Sequence, residues 1–219
     1  MQIICGDSHQ EMKNIKDESV DCIITDPPYG MSFQSNMRTK TLKFDLIKDD
    51  DNLDNVLVLF SEMYRVLKNN THIYIFCSWH NVDKFKIEFE KYFKLKNILV
   101  WYKDVHTMGD LHGQYAPRYE FILFGHKGRR LLNKGRHPDV LPFKKVPPNH
   151  LVHSNEKPVE LLKFLIEKST DEGELILDCY AGSGTVPLAC KSLNRDCIAI
   201  EIDQKYINII NKRLNQQVL

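Results

Sequence analysis

Short apolar segments alternate with amphipathic segments along most of the chain. Seven of the apolar segments are rich in Ile, Val, Leu, Phe and Tyr, and mostly lack the strict alternation of a half-exposed strand. This pattern is typical of strands that are covered on both faces of a sheet. The predicted strands are 2–5, 22–25, 72–77, 98–102, 120–124, 175–179 and 197–202.

The segments between these strands carry apolar residues at helical spacing. Pro158 suits the first turn of one helix, which is predicted to run to about Lys168. The apolar positions of two others are Val56, Phe60, Met63 and Leu67, and Val186, Ala189, Cys190 and Leu193. Strands interleaved with helices predict an α/β fold with a doubly wound, mainly parallel sheet. With no internal repeat and no Gly/Ser-rich linker, residues 1–219 are expected to form a single domain.

Composition narrows the class of protein. The chain is 42% hydrophobic and 27% charged, as in ordinary globular domains. No apolar run approaches the roughly 20 residues that span a bilayer, and the first residues do not resemble a signal peptide. Five of the six cysteines, including Cys5, lie in apolar strand-like segments and none forms a C-x-x-C pair, which favours buried free thiols in a reducing cytoplasm. The nine histidines are scattered, so no metal site is expected.

The sharpest motif is Asp26-Pro27-Pro28-Tyr29, which directly follows the second predicted strand. In open α/β sheets, ligands bind at the carboxyl ends of strands. The two prolines have a fixed φ and no N–H, so the segment leaves the sheet stiffly and its carbonyls point in set directions. Asp26 adds a carboxylate acceptor, and Tyr29 adds an aromatic face with a polar tip.

Together these groups can hold a planar ring that carries an amino group. The lone pair of the adenine or cytosine amino group is delocalised into the ring, which makes the nitrogen a poor nucleophile. Hydrogen bonds from its two N–H groups to Asp26 and to the carbonyl of Pro27 would favour a tetrahedral nitrogen and free the lone pair. Because a short motif of this kind also occurs as a plain proline turn, a second motif has to support the interpretation.

The second motif is a glycine-rich run between the sixth predicted strand and the helix after it. Gly182 and Gly184 allow a tight turn and the close approach of a ligand, and Ser183 or Thr185 can cap the helix. Glu201 ends the next strand, where a carboxylate can accept both hydroxyls of a ribose. The spacing matches neither the dinucleotide fingerprint nor the phosphate-binding loop. A nucleoside cofactor without a pyrophosphate fits better, and S-adenosylmethionine is the obvious candidate.

The two motifs together resemble those of the DNA amino-methyltransferases, the enzymes that methylate adenine N6 or cytosine N4. The Asp-Pro-Pro-Tyr tetrad precedes the Ala-Gly-Ser-Gly loop, and this permuted order is similar to that of the β group of the family. Residues 62–68 and 73–76 also match a helix–strand pair that is common in the group. The resemblance covers nearly the whole chain and implies a seven-stranded, Rossmann-like fold. An initial Asp in the tetrad, rather than Ser, usually accompanies adenine as the target.

The resemblance also implies which residues bind the cofactor. Gly6 and Asp7 match the segment beside its adenine, while His153, Lys157 and Pro158 match an H-x-x-x-K-P element beside its methionine part. The implied catalytic residues are Asp26, Pro27, Pro28 and Tyr29. The implied cofactor-binding residues are Asp7, Lys157, Asp178, Ala181, Gly182, Ser183, Gly184, Thr185 and Glu201.

The expected partner is double-stranded DNA, from which the target base must flip out to reach a closed pocket. Since the net charge is only +1, the phosphate contacts must come from a local patch. Such a patch lies within 126–150, where seven lysines and arginines oppose only Asp139. Segment 31–48 reads as a lid, and the insertion near 104–150 is short for a recognition domain. The predicted DNA-binding residues are Arg38, Lys127, Arg129, Arg130, Lys134 and Arg136.

Several alternatives stay open at this point. Cytosine N4 presents the same geometry to the same groups as adenine N6. Methylation of RNA or of a protein amide is a further alternative, although those families more often begin the tetrad with Asn. A non-catalytic nucleic-acid-binding regulator would be expected to lose the tetrad, which is complete here. Cytosine C5 methylation is rejected because no Pro-Cys pair is present. The sequence leaves open whether the chain forms a homodimer.

Overall fold

A computed structural model describes residues 1–29, 53–106, 112–147 and 156–216. The strands of these residues form one eight-stranded sheet in the order β1-β8-β7-β2-β3-β5-β4-β6. All neighbours pair in parallel except β3 with β5 and β4 with β5, which are antiparallel. The strands are β1 (Gln2–Cys5), β2 (Val20–Thr25), β3 (Leu67–Cys77), β4 (Lys94–Tyr102), β5 (Tyr119–Lys127), β6 (Val140–Pro142), β7 (Leu175–Asp178) and β8 (Asp196–Glu201).

Helices cover both faces of the sheet and create two hydrophobic cores. One core lies beneath α4, α5 and α6, and the other lies beneath α2, α3 and the short N-terminal helical segment. Residues of β2 alternate between the two cores, with Ile24 in the first and Ile23 in the second. The helices are α1 (Ser8–Glu11), α2 (Leu53–Val66), α3 (Val82–Tyr92), α4 (Val159–Ser169), α5 (Thr185–Ser192) and α6 (Gln204–Asn215), and a 3-10 turn spans Met12–Asn14.

β2 and β7 are parallel neighbours in the centre of the sheet, and the direction in which successive strands are added changes between them. From β2 the chain winds through α2 to β3 on one side, and from β7 it winds through α5 to β8 on the other. A crevice opens at the carboxyl ends of the strands at such a switch point, and ligands bind there. We call the end of the sheet that is formed by the carboxyl ends of its parallel strands the carboxyl edge. The opposite end, formed by the amino ends of these strands, is the amino edge.

All seven predicted strands are present, and the α/β class with a mainly parallel sheet is confirmed. The eighth strand, β6, was not predicted, because its three residues are too few to give a periodic pattern. Leu67, predicted on a helix, begins β3, since α2 runs directly into that strand. Cys5 is exposed, although it was expected to be a buried thiol. Among the described helices, none is long and apolar enough to cross a membrane.

Candidate active site

A cleft opens at the carboxyl edge between β2 and β7 and holds about 400 Å³ of space open to solvent. Asp26, which directly follows β2, lines the cleft together with Gly182 and Ser183 of the glycine-rich turn. The hydroxyl of Thr25 donates a hydrogen bond of 3.0 Å to Oδ1 of Asp178, and so joins the ends of the two strands. The fold therefore brings the two sequence motifs to one site.

The tetrad is held by hydrogen bonds at both of its ends. The phenol of Tyr29 donates to Oδ1 of Asp26 over 2.5 Å, and Nδ2 of Asn81 donates to the carbonyl of Tyr29 over 2.5 Å. Pro27 and Pro28 are buried, whereas Asp26 and Tyr29 are only partly covered. Two rigid, buried prolines thus fix the separation between an acidic and an aromatic side chain that both remain accessible.

Lys157 precedes α4, and its ammonium lies on the same side of the cleft as Asp26. It donates a hydrogen bond to Oδ2 of Asp26 and is 3.1 Å from Oε2 of Glu120 on β5. The other carboxylate oxygen of Glu120 accepts a hydrogen bond from Lys103. Two lysines and two carboxylates therefore form a continuous chain of ion pairs in the order Lys103, Glu120, Lys157, Asp26.

The charges of this chain shift one another. Burial raises the pKa of Asp26 above its usual range, against the opposing effects of Lys157 and the Tyr29 hydroxyl. Burial acts on Glu120 in the same sense, but the ammoniums of Lys157 and Lys103 outweigh it and lower the pKa of Glu120 to about 2. Burial would lower the pKa of Lys157, but the two carboxylates raise it instead. Glu120 and Lys157 are consequently charged at neutral pH.

The glycine-rich turn has a backbone conformation that favours glycine. Gly184 has a φ of 82°, and a Cβ atom added to it would lie 2.6 Å from Cγ1 of Ile210 on α6. Gly182 has a φ of 51°, and its N–H donates to Oε2 of Glu201 over 2.8 Å. The turn therefore lies close against both α6 and the end of β8.

Neither Ser183 nor Thr185 caps the helix after the turn, contrary to the prediction. Gly184 is the N-cap residue of α5 and makes no side-chain capping bond. The hydroxyl and carbonyl oxygens of Ser183 instead accept hydrogen bonds from Arg213 of α6, at 3.2 and 3.0 Å. The same guanidinium is 2.8 Å from Oε1 of Glu156, which also lines the cleft.

Three carboxylates surround the remainder of the cofactor side. Asp178 is buried, and burial raises its pKa to about 7 against the hydrogen bonds from the N–H of Tyr180 and from Thr25. Glu201 is held by two backbone N–H groups, those of Gly182 and Asp203. Asp7 follows β1, whose last residue pairs with Glu201, and it caps α1 by accepting from the N–H of His9. The structure thus gathers the predicted cofactor residues along neighbouring strand ends.

The basic residues that were predicted to bind DNA do not join this site. Lys127 of β5 pairs with Thr71 of β3. At roughly 3.3 Å per residue, Thr71 lies about 20 Å from Cys77, the residue at which β3 reaches the carboxyl edge. Lys127 therefore lies toward the amino edge. Its buried ammonium bonds to the carbonyls of Tyr64 and Leu67. Arg130 is engaged by both oxygens of Glu174 at 3.0 and 2.9 Å.

Other members of the predicted patch lie in the same region. Lys134 pairs with Glu167, and the carbonyls of residues 133–135 accept hydrogen bonds from Lys168 at the end of α4. Arg129 lies two residues after the buried Lys127, and Arg136 follows the segment that binds Lys168. These residues therefore lie toward the amino edge and not around the cleft, and their contact with DNA stays a prediction. Arg38 and the proposed lid 31–48, as well as His153, lie outside the described residues.

Sequence reasoning missed five residues that contribute to the site, namely Asn81, Lys103, Glu120, Glu156 and Arg213. Each is a charged or polar residue next to an apolar segment, which is also the ordinary pattern at the end of a strand or helix. Glu120 could have been found as an acidic residue inside an otherwise apolar predicted strand. In the part of the chain that the structure covers, no group of three or more His, Cys, Asp or Glu residues is placed to hold a metal.

The residues of the cleft fit a nucleoside that carries a positive charge. Glu201 uses one lone pair of each oxygen for the backbone and keeps the others for ligand hydroxyls. A doubly wound sheet with a glycine-rich turn after one central strand, and an acidic loop with two prolines after its neighbour, defines an S-adenosylmethionine-dependent methyltransferase.

Comparison with known proteins gives the family. The chain belongs to the DNA methylase family of N6 and N4 methyltransferases, whose family model matches residues 20–212. The type II methyltransferase M.HpaI of Haemophilus parainfluenzae is 32% identical to it over 99% of this chain and 74% of that protein. The DNA adenine methyltransferase YhdJ of Escherichia coli K12 is 29% identical over 97% of this chain and 82% of that protein.

Solved structures share the fold over nearly the whole chain. The complex of M1.HpyAVI with S-adenosylmethionine superimposes with a TM-score of 0.75 and 26% identity, covering 98% of this chain and 99% of that one. The cytosine-N4-specific PvuII DNA methyltransferase gives a TM-score of 0.80 at 15% identity, covering 99% of this chain and 87% of that one, and this shows the fold alone. The methyl donor of this chain is therefore S-adenosylmethionine, as the sequence predicted.

Proposed function

We propose that this protein methylates the N6 amino group of a flipped adenine in double-stranded DNA. The observation that carries the proposal is that the Asp26 carboxylate lines the same cleft as the glycine-rich turn. An acceptor for the amino group and a site for the methyl donor thus face each other at the switch point of the sheet. Two observations favour adenine as the base: the tetrad begins with Asp, which usually accompanies adenine as the target in the family, and the chain is related to the DNA adenine methyltransferase YhdJ.

The tetrad performs the chemistry by holding and polarising the amino group. Asp26 and the Pro27 carbonyl accept its two N–H groups, and Tyr29 stacks on the ring, which offsets part of the cost of extruding the base. S-adenosylmethionine supplies a methyl group that its sulfonium charge already activates. The nitrogen forms its bond to the methyl carbon as the sulfur–carbon bond breaks, and it then releases one proton to Asp26 or to water. The residues act mainly by positioning and by electrostatics.

The remaining site residues are proposed to hold the donor. Glu201 accepts the ribose hydroxyls, and Asp7 lies beside the adenine. The turn formed by Ala181, Gly182, Ser183, Gly184 and Thr185 passes close to the ligand because it carries two glycines with positive φ. Asp178, at the end of β7, is a further acidic neighbour of the methionine part. Lys157, which was expected beside that part of the ligand, is considered separately below because its ammonium lies on Asp26.

The DNA is proposed to lie across the carboxyl edge. The basic residues found there include Lys144, which follows β6, and Arg118, which precedes β5 and lies 4.9 Å from the ring of Tyr102. Trp79 follows β3 at the same edge and is 44% exposed. Cations and exposed aromatic rings next to a base-binding cleft suit phosphates and unstacked bases.

Methylation of cytosine N4 is the second candidate, because the same acceptors can hold either amino group. To distinguish them, duplex DNA is incubated with the protein and isotope-labelled S-adenosylmethionine, hydrolysed to nucleosides and analysed by mass spectrometry. We expect N6-methyladenine. N4-methylcytosine as the sole product would overturn the assignment of the base, and preference for RNA in a competition assay would overturn the assignment of the substrate.

A substitution tests the proposed chemistry. Asp26→Ala is expected to abolish methyl transfer while leaving binding of S-adenosylmethionine measurable by calorimetry. Asp83→Ala, at an exposed position on α3, is the control and should methylate at the wild-type rate. Unchanged methylation by the Asp26→Ala protein would contradict the mechanism.

A further inference from the structure

Lys157 is shared between two carboxylates in a buried environment. Its side chain is only 6% exposed, and its ammonium contacts Oδ2 of Asp26 and lies 3.1 Å from Oε2 of Glu120. The aromatic rings of Phe76 and Tyr29 lie 5.1 and 5.9 Å from the same ammonium. The cation is therefore kept inside the cleft, with two anionic acceptors within reach.

This arrangement leaves both oxygens of Asp26 engaged. Oδ1 accepts from the phenol of Tyr29, and Oδ2 accepts from Lys157. Each oxygen keeps a further lone pair for an amino group. A carboxylate that is neutralised by an ammonium is nevertheless a weaker acceptor for an N–H group, so withdrawal of Lys157 would strengthen the hold of Asp26 on the base.

We propose that Glu120 is a positioning residue that takes over the ammonium of Lys157 when the target base arrives, and so frees Asp26 to hold the amino group. This inference rests on the proposed function. Glu120 touches neither the base nor the methyl donor; it acts only through Lys157.

The position of Glu120 makes this exchange easy. Lys157 is already an ion-pair partner of Glu120, so its ammonium can leave Asp26 without becoming an unpaired buried charge, which would be costly. Glu120 itself is fixed by its pairing with Trp101 in the sheet and by the bond from Lys103. Lys103 in turn limits how strongly Glu120 attracts Lys157, so that neither carboxylate holds the ammonium exclusively.

The groups that face Asp26 determine how it titrates. They are Tyr29 of its own loop, Cys77 of β3, Glu120 of β5, Lys157 before α4 and Asp178 of β7. Of these, Lys157 lowers the pKa of Asp26, and Glu120 raises it. Removing the charge of Glu120 should therefore lower the pKa of Asp26 while leaving its carboxylate tied to Lys157.

The test compares single-turnover methylation rates across pH, because product release then does not mask the chemical step. Glu120→Gln is expected to reduce the rate at neutral pH roughly 10- to 100-fold, with S-adenosylmethionine affinity within about twofold of the wild type. The acid limb of its rate profile should also shift to lower pH. Lys103→Met is expected to draw Lys157 toward Glu120 and shift the acid limb the opposite way, to higher pH.

Glu174→Gln is the matched control. Glu174 also pairs with a basic residue, Arg130, and its side chain is 25% exposed against 23% for Glu120, but it lies at the amino edge. Its rate profile should equal that of the wild type. Shifts in opposite directions support the proposal, whereas shifts in one direction or no shift for either variant overturn it. If Glu120→Gln does not fold, the direction found with Lys103→Met decides alone.

Failure of the inference can be told apart from failure of the proposed function. If the wild-type protein produces no N6-methyladenine on any DNA, the function is wrong. If the wild type is active and the Glu120 and Lys103 variants keep its rate profile, only the role of Glu120 is wrong.

Discussion

The hydroxyl of Thr25 donates a 3.0 Å hydrogen bond to the buried carboxylate of Asp178. Thr25 directly precedes the Asp-Pro-Pro-Tyr tetrad, and Asp178 is the last residue of the strand before the glycine-rich turn. One hydrogen bond therefore couples the position of the tetrad to that of the cofactor side, although 153 residues separate the two in sequence.

Asp178 makes the stability of the protein depend on pH. Burial raises its pKa from 3.8 to about 7, so between these values the folded protein holds a proton that the unfolded chain has released. The free energy of unfolding therefore falls as pH rises through this window, by up to about 1.4 kcal/mol per pH unit from this group. We expect urea unfolding from pH 4.5 to 7.5 to show a smaller fall for Asp178→Asn than for the wild type.

Asp139→Asn, at an exposed position, serves as the control for this measurement and should reproduce the wild-type pH dependence. An identical fall in all three proteins would show that Asp178 keeps an ordinary pKa in the folded state.

Tyr29 combines two roles that substitution can separate. Tyr29→Phe keeps the ring but loses the hydrogen bond to Asp26, so we expect slower methyl transfer with normal extrusion of the base. Tyr29→Ala loses stacking, which is worth about 1–3 kcal/mol per base, and extrusion should weaken accordingly. Fluorescence of 2-aminopurine at the target position measures extrusion. Equal signals from the Phe and Ala variants would contradict a stacking role.

Arg213 connects α6 to the cofactor side by holding Ser183 and Glu156. Arg213→Met removes hydrogen bonds that involve a charged group, each worth about 1.5–3 kcal/mol, and should weaken S-adenosylmethionine binding by about tenfold or more. Calorimetry with Lys212→Met, a substitution at the exposed neighbouring position, provides the control. The prediction fails if both variants bind the ligand as tightly as the wild type.

The edge of the sheet that faces DNA can be identified with two sets of substitutions. Lys144→Gln, at the carboxyl edge, should weaken binding to all duplexes and lower the slope of log affinity against log salt by about 1. The double variant Arg129→Gln, Arg136→Gln should bind like the wild type, because these residues belong to the segment at the amino edge. Loss of affinity in the double variant alone would place the DNA on the opposite side from the cleft.

The fold could be predicted because its signals are local. Buried strands such as 22–25 and 175–179 are continuous apolar runs, and the glycines of the turn are favoured by a backbone conformation that other residues rarely adopt. The short β6 escaped because its three residues pair with β4 at the margin of the sheet, where burial is incomplete. Leu67 was misassigned because helical spacing continues by chance into the strand that follows α2.

The electrostatics of the site could not be predicted in the same way. Lys127 and Lys144 belong to one basic segment of the sequence, but the chain crosses from one edge of the sheet to the other between them. Glu120 meets Lys157 only because β5 runs antiparallel to β3 and thereby begins at the carboxyl edge. Charge along a sequence gives no information on strand direction, so the partners of an ionic group follow from tertiary structure alone.

The Asp-Pro-Pro-Tyr tetrad directly follows β2, a strand that is buried along its whole length. Every residue of β2 is buried, and both of its neighbours, β3 and β7, are themselves interior strands. Amide hydrogens of such a strand exchange with solvent only when the whole molecule opens. The tetrad should consequently not unfold separately from β2. On heating, we expect methylation activity to be lost in the same cooperative transition in which the sheet unfolds.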